Sequence, residues 1–288
     1  MSTEPPPLHP GPCPGRILLV ATPIGNLGDI SDRAVRALGS ADRIACEDTR
    51  RTGRLLEHLG VSAPKLVRMD QYTERAVAGA MVEAASRGEV VAVVSDAGMP
   101  ALSDPGSAVV EAAIASGVPL EVVPGAFAGA TAAVLSGLTG ASGRFGFEGF
   151  LPRKGRARAE RLRELAESRI PVVLYESPHR LRATVEDLLG LCGDTRRISL
   201  SRELTKLHEE TWRGTLGDAV EHLGQTEPRG EYVLVLDAAP PPSAPGDEEL
   251  LAALQRRLAD GESRRDAAAA VPSLFGVPPN RVKRLANP

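Results

Sequence analysis

Apolar residues recur along this chain in short continuous runs, each followed by a stretch with helical spacing. ILLVAT (17–22), RIACED (43–48), KLVRMD (65–70), EVVAVVSD (89–96) and PLEVVPG (119–125) read as strands. Between them lie the helical stretches ISDRAVRALGSA, TRRTGRLLEHLG, ERAVAGAMVEAASRG and SAVVEAAIASG, with an Ala-rich helix running to about Gly137. In the third of these, Val77, Met81, Val82 and Ala85 share one helical face. Strands that are apolar at consecutive positions are buried on both faces, so the alternation predicts a mainly parallel sheet with helices on either side. This first α/β domain is expected over 16–140.

Beyond FGFEGFLP the pattern changes. PVVLYES, RRISLSREL, HEETWRGTL and GEYVLVLDA read as strands with only two or three helices among them. Short links favour antiparallel neighbours, so a second α/β domain over 141–238 is expected to hold a mixed or antiparallel sheet. A Pro-rich linker (239–247) leads to a small helical tail (248–288). There the helix DEELLAALQRRLADG precedes two helices split by a Gly-Val-Pro-Pro turn, a helix-turn-helix-like pattern. Residues 1–15, with six prolines and two glycines, lack the apolar surface to order themselves and read as a flexible leader.

Composition narrows the class. At 288 residues with 42% hydrophobic and 25% charged positions, the chain has the mix of a soluble globular protein. The longest apolar run, Val109 to Ala115, contains Glu111, and MSTEPPPLHPGPCPG has neither a basic nor an apolar signal region. A cytoplasmic protein without a membrane partner is expected. Cys13, Cys46 and Cys192 show no CxxC spacing and the five histidines no metal spacing, so neither a disulfide scaffold nor a metal site is expected. A net charge of −3 does not suit a general polyanion binder. The basic residues are nevertheless clustered. Arg153, Lys154, Arg156, Arg158, Arg161 and Arg163 stand near one acid, Glu160, and five more lie between Arg264 and Arg284 near Asp266. Such clusters track phosphates or simply solvate helix faces; two of them in one acidic protein point toward RNA.

Candidate chemistry falls in the loops at the carboxyl ends of the strands, where parallel sheets bind ligands. Thr22-Pro23-Ile24-Gly25-Asn26-Leu27-Gly28-Asp29 brings two glycines that let backbone approach a ligand, although it lacks the GxGxxG pattern and also suits a plain tight turn. Asp29 or Ser31 can cap the helix that follows. Glu47-Asp48-Thr49-Arg50 ends a strand with two acids, which equally suit a solvated helix start. Ser95-Asp96-Ala97-Gly98-Met99-Pro100 and Ser103-Asp104-Pro105-Gly106 make a loop longer than a connection requires. In it Asp96 can accept from an amine or ribose, and Asp104 before Pro105 fits a helix N-cap. Val123-Pro124-Gly125-Ala126-Phe127-Ala128 is a further small-residue loop. In the second half, Ser177 and Pro178 suit a cap and first turn beside Glu176 and His179, while Ser201 to Glu210 reads as a charged strand and its continuation. The chain lacks GxxxxGK[ST], GxSxG and HExxH.

Taken together, ATPIGNLGDIS (21–31), CEDTR (46–50), SDAGMPALSDPG (95–106), VPGAFA (123–128), FLPRKG (150–155), YESPHR (175–180), SRELTKLHEE (201–210) and RGEYVLVL (229–236) resemble the tetrapyrrole methylase superfamily. Within it they are most similar to the branch that methylates the 2′-hydroxyl of cytidine 1402 in 16S ribosomal RNA. The resemblance implies two α/β domains with S-adenosylmethionine (SAM) in the cleft between them, a homodimer, and 16S rRNA or the small ribosomal subunit as partner. Carried onto this chain, it implies cofactor contacts from Pro23, Asp96, Ala97, Gly98, Pro100, Asp104, Phe127, Ala128, Tyr175 and Glu176, with Glu203 beside them. A ribose hydroxyl is a weak nucleophile that a positioned base would help, and Asp48, Glu203 and His208 all remain candidates. Arg50, Arg153, Lys154, Arg180 and Arg202 are candidates for the RNA side. The alternatives are a tetrapyrrole C-methyltransferase of the same fold and a non-catalytic RNA-binding assembly factor.

Overall fold

A computed structural model describes residues 15–62, 64–241 and 245–286. The expected leader lies outside the described residues except for Gly15, as do 242–244 of the expected linker. The chain divides into two compact units, one reaching Ala239 and the other starting at Pro240.

In the larger unit, β1 (Arg16–Val20), β2 (Arg43–Cys46), β3 (Lys65–Arg68), β4 (Val90–Val93) and β5 (Leu120–Val123) form an all-parallel sheet in the order β3-β2-β4-β1-β5. The connections carry α1 (Asp32–Gly39), α2 (Thr49–His58), α3 (Glu74–Ser86) and α4 (Ser107–Ala115). Both faces of the sheet are covered. Ile17 and Leu19 pack with Met81 and Val82 of α3 and Val109 of α4, while Leu18 and Val20 face Leu38 of α1 and Leu56 of α2. This two-sided burial is why Ile17 to Val20, Ile44 to Cys46 and Val91 to Val93 are apolar at consecutive positions. Each ladder ends two or three residues before the apolar run predicts. Val94 and Met69 stay buried one residue beyond their strands, where their N–H groups still donate to the carbonyls of Ala45 (3.0 Å) and Cys46 (2.8 Å), and the ligand-side loops open after them.

A second, mixed sheet contains β6 (Gly146–Phe150), β7 (Val172–Glu176), β8 (Arg197–Arg202), β9 (Glu210–Thr215) and β10 (Tyr232–Leu236), in the order β6-β7-β10-β8-β9. Only β6 and β7 run parallel. One face packs Leu174, Leu200 and Leu234 against Leu162 of α6 (Gly155–Glu167), Leu181 and Leu188 of α7 (Pro178–Cys192) and Leu223 of α8 (Leu216–Gln225). The other face, through Val173, Val233 and Val235, receives Ala132 and Ala133 of α5 (Ala128–Ser136). By packing, α5 therefore joins the second sheet although it follows β5 in the chain. The β6 strand escapes the sequence pattern because its register shifts between Phe147 and Gly149, where Gly149 takes φ +69°.

Among the described residues, the smaller unit has three helices, α9 (Asp247–Ala259), α10 (Arg264–Phe275) and α11 (Pro279–Ala286), around Leu250, Leu254, Ala267, Val271 and Val282. The first begins at Asp247, inside the expected linker. Ser263 caps α10 by accepting from the Asp266 N–H at 3.2 Å, and Gly276 at φ +63° ends it before the predicted turn. Among the described residues, no helix is long and apolar enough to cross a membrane.

Candidate active site

The loops after β1 and β4 are tied together at their base. Thr22 and Gly98 exchange backbone hydrogen bonds of 2.9 and 3.0 Å, and the Thr22 hydroxyl donates to the Ser95 carbonyl at 3.1 Å. The β4 loop is backbone-strained: Ala101 and Ser103 take φ +66° and +65°, values uncommon for residues with a Cβ. Asp104 does not cap α4, contrary to its sequence context. The Ala101 N–H donates to the Pro105 carbonyl, which holds Pro105 within the loop, and α4 starts only at Ser107 behind Gly106 at φ +139°. The capping role passes to Glu74 of α3, whose Oε1 accepts from the N–H groups of Gly106 (2.8 Å) and Ala108 (2.7 Å) and from the Ser107 hydroxyl (3.2 Å). Ser31 does cap α1 as expected, accepting from the Ala34 N–H.

These loops and the facing end of the second sheet enclose a cavity of about 380 Å³. Ala97, Gly98, Asp104, Phe127, Ala128, Tyr175 and Glu176 of the expected cofactor set all line it. Ile24, Met99, Leu102, Leu204 and Val233 add apolar wall, and Lys206 and Glu231 add a charged edge. None of these seven is among the expected cofactor contacts, although all of them fall inside four of the segments that carry the resemblance. Phe127, Phe147, Tyr175 and Phe150 form a chain of edge-on rings with centroids 5.0–5.5 Å apart. The Tyr175 hydroxyl accepts from the Gly129 N–H at 3.2 Å, and burial pushes this phenol up to about 12. Gly25 permits the first loop to meet the second sheet's turn: a Cβ there would lie 2.4 Å from Lys206 Cγ and 3.0 Å from the Leu204 carbonyl oxygen.

Asp104 is one of three acids on the cavity wall, with Glu176 and Glu231. Burial, then the charges of Glu47 and Asp96, push its carboxyl up to about 6 despite a hydrogen bond from Ser95. Glu47 is also raised, by burial first and then by Asp96 and Asp70. Glu47 and Asp96, whose charges act on Asp104, line a separate polar recess of about 610 Å³ together with Asp48, Arg50, Arg51, Arg68, Asp70 and Tyr72. Asp96 belongs to this recess: its Oδ1 accepts from the Asp48 N–H at 3.2 Å and its Oδ2 pairs with Arg51 at 3.1 Å. Asp48 caps α2 through the Arg50 N–H at 2.8 Å, and its hydrogen bonds with the Arg50 side chain and backbone lower its carboxyl to about 2. Pro23 borders a third recess, of about 250 Å³, while Pro100 is buried and borders none of the three.

The other expected residues are placed differently. Glu203, at φ +50°, accepts from the Glu231 N–H (3.0 Å) and the Lys206 ammonium (3.1 Å), which keeps it ionised and braces the turn outside the three cavities. His208 is exposed and lines none of them. Arg180 pairs with the buried Glu176 at 3.3 Å and donates to the Leu151 carbonyl at 3.0 Å, fixing the start of α7 to the segment after β6. Glu176 also accepts from the Thr184 hydroxyl (2.7 Å) and the Ser177 N–H (2.9 Å). Arg202 pairs across the ladder with Glu210 at 2.7 Å. Arg50, Arg153 and Lys154 are exposed, the last two at the start of α6. Among the described residues, no cluster of His, Cys, Asp or Glu is arranged to hold a metal ion.

The sequence matches the tetrapyrrole (corrin/porphyrin) methylases over residues 16–220, which covers the parallel sheet and all of the second sheet except β10. The chain belongs to this family. It is 42% identical over 256 residues to ribosomal RNA small subunit methyltransferase I of Synechocystis sp., covering 88% of this chain and 91% of that protein. The protein of the same name from Halalkalibacterium halodurans is 44% identical over 223 residues, covering 77% of this chain and 76% of that one. A solved uroporphyrin-III C-methyltransferase from Thermus thermophilus, complexed with S-adenyl homocysteine, superposes with a TM-score of 0.56 at 22% identity, over 77% of this chain and 97% of that chain. That likeness establishes the shared fold.

Proposed function

We propose that this protein is a SAM-dependent methyltransferase that acts on the 2′-hydroxyl of a cytidine in 16S ribosomal RNA, cytidine 1402 by family resemblance. The observation that carries the reading is a pair of cavities whose acids act on one another, Asp104 in one and Glu47 and Asp96 in the other. One is apolar with a few carboxylates; the other is polar and rimmed by arginines. The long relatives named for small-subunit rRNA supply the substrate class. The family resemblance supports a homodimer.

The residues of the larger-unit cavity fit the cofactor. Its aliphatic and aromatic walls suit an adenine, its carboxylates suit an ammonium and ribose hydroxyls, and Gly98 keeps the backbone open beside Ile24. Ala97, Gly98, Asp104, Phe127, Ala128, Tyr175 and Glu176 would hold it. When bound, the cofactor supplies a methyl group on a positively charged sulfur for in-line displacement. The protein's task is then alignment and proton removal. Among the acids of the two cavities, Asp104 combines position with basicity: a carboxyl at about 6 takes a proton from a hydroxyl more readily than Asp48 at about 2. Asp104 is therefore preferred as base over Asp48, Glu203 and His208. Glu74 and the Thr22–Gly98 pairing hold its loop in place before substrate arrives.

The test is incubation of the protein with radiolabelled SAM and small ribosomal subunits from cells lacking the gene, followed by nucleoside analysis. Label in 2′-O-methylcytidine is the expected outcome. Label on a base overturns the ribose assignment, and label in uroporphyrinogen from a parallel incubation, with none in RNA, selects the C-methyltransferase alternative.

A further inference from the structure

Tyr72 stands 87% exposed on the loop after β3 and lines the polar recess. The Asp70 carboxylate fixes its backbone by accepting from the N–H groups of Tyr72 and Thr73, both at 3.0 Å. A ring displayed to water by a rigid turn gains almost no burial, so the fold itself does not account for an aromatic there. Its surroundings suggest what does. Arg50, Arg51 and Arg68 rim the same recess with side chains 85%, 69% and 71% exposed. Each rests on a deeper carboxylate, Asp48, Asp96 or Asp70, at 3.1–3.2 Å. The acids lie beneath and the cations outside. An ion pair of this kind orients a guanidinium while leaving donors free for a second acceptor.

An exposed π-face beside three outward guanidinium groups matches the chemistry of a single-stranded nucleotide, whose base stacks and whose phosphates accept. We propose that Tyr72 is a base-stacking platform for the RNA strand, with Arg50, Arg51 and Arg68 on the flanking phosphates. The proposal rests on RNA being the substrate. It adds a recognition residue on the first sheet's side of the cleft, away from the basic helix α6.

The experiment compares wild type, Tyr72→Ala and Tyr72→Phe on small ribosomal subunits from cells lacking the gene, with SAM affinity measured separately by calorimetry. Tyr72→Ala is expected to raise KM for subunits about 5- to 100-fold, the range of a lost base–aromatic stack, with SAM affinity and kcat unchanged. Tyr72→Phe, which keeps the π-face, is expected to match wild type. Arg68→Gln should reduce the salt dependence of RNA binding by roughly one counterion. An unchanged KM in Tyr72→Ala, or an equal defect in Tyr72→Phe, overturns the platform while leaving the rRNA assignment standing. A fall in SAM affinity with Tyr72→Ala makes the residue structural and also overturns it. Wild-type protein that binds SAM and labels no RNA overturns the rRNA assignment and the platform together.

Discussion

Asp104 shows how much a single residue's surroundings decide. Its sequence context, Ser-Asp-Pro-Gly, is that of a helix cap, yet the fold places it against Glu47 and Asp96 in a half-buried wall. Its carboxyl rises from 3.8 to about 6, so the folded protein holds a proton that the unfolded chain has released. Stability is therefore expected to fall as pH rises from about 4 through 6. Thermal melts at pH 5 and pH 8 should show a larger drop for wild type than for Asp104→Asn, and the variant should be the more stable at pH 8. Activity runs the other way: kcat should rise through about pH 6 to a plateau, and Asp104→Asn should lose roughly 10²- to 10⁴-fold, the range of a general base. A variant retaining wild-type kcat removes Asp104 from catalysis. Gly25 acts by absence. Its missing Cβ lets two loops meet, so Gly25→Ala should weaken SAM binding measured by calorimetry and cost about 1–3 kcal/mol of stability as overpacking.

Among the elements, the helix starts separate what local sequence can do from what it cannot. Ser31 caps α1 from the next residue but two, a pattern visible in the sequence, and Ser31→Ala should cost about 1 kcal/mol in denaturant unfolding with little effect on SAM affinity. The start of α4 is different. Its cap is Glu74, thirty-two to thirty-four positions away, and no periodicity links the two. Because the same carboxylate anchors the end of the strained β4 loop, Glu74→Ala should cost about 1–3 kcal/mol and also lower SAM affinity. A stability loss with unaltered SAM binding confines Glu74 to helix capping. Strand existence was legible because burial on two faces writes a continuous apolar run, whereas β6 was not, because its bulge breaks the period.

At the scale of the whole molecule, two units with separate cores should unfold separately. The three-helix unit is small and has few buried side chains, so it is expected to melt first. The single tryptophan, Trp212, is stacked on His222 in the larger unit. The first transition should accordingly appear in far-UV circular dichroism and be silent in tryptophan fluorescence; coincident transitions by both probes rule out independent melting.

The sequence by itself determined the class of fold, a mainly parallel first sheet, a second sheet that was mixed or antiparallel, and the segments that carry the family resemblance, because burial and loop composition are local properties of the chain. Tertiary structure decided the rest. It sent Asp96 to the polar recess and Asp104 to the cavity, turned Arg180 and Glu203 into braces, left His208 in solvent and brought Tyr72 beside three arginines. Spacing along a chain states which residues are available for chemistry. Which carboxylate meets which cation depends on crossovers and loop closures that join positions tens of residues apart, and those contacts set both the charge and the reach of each side chain.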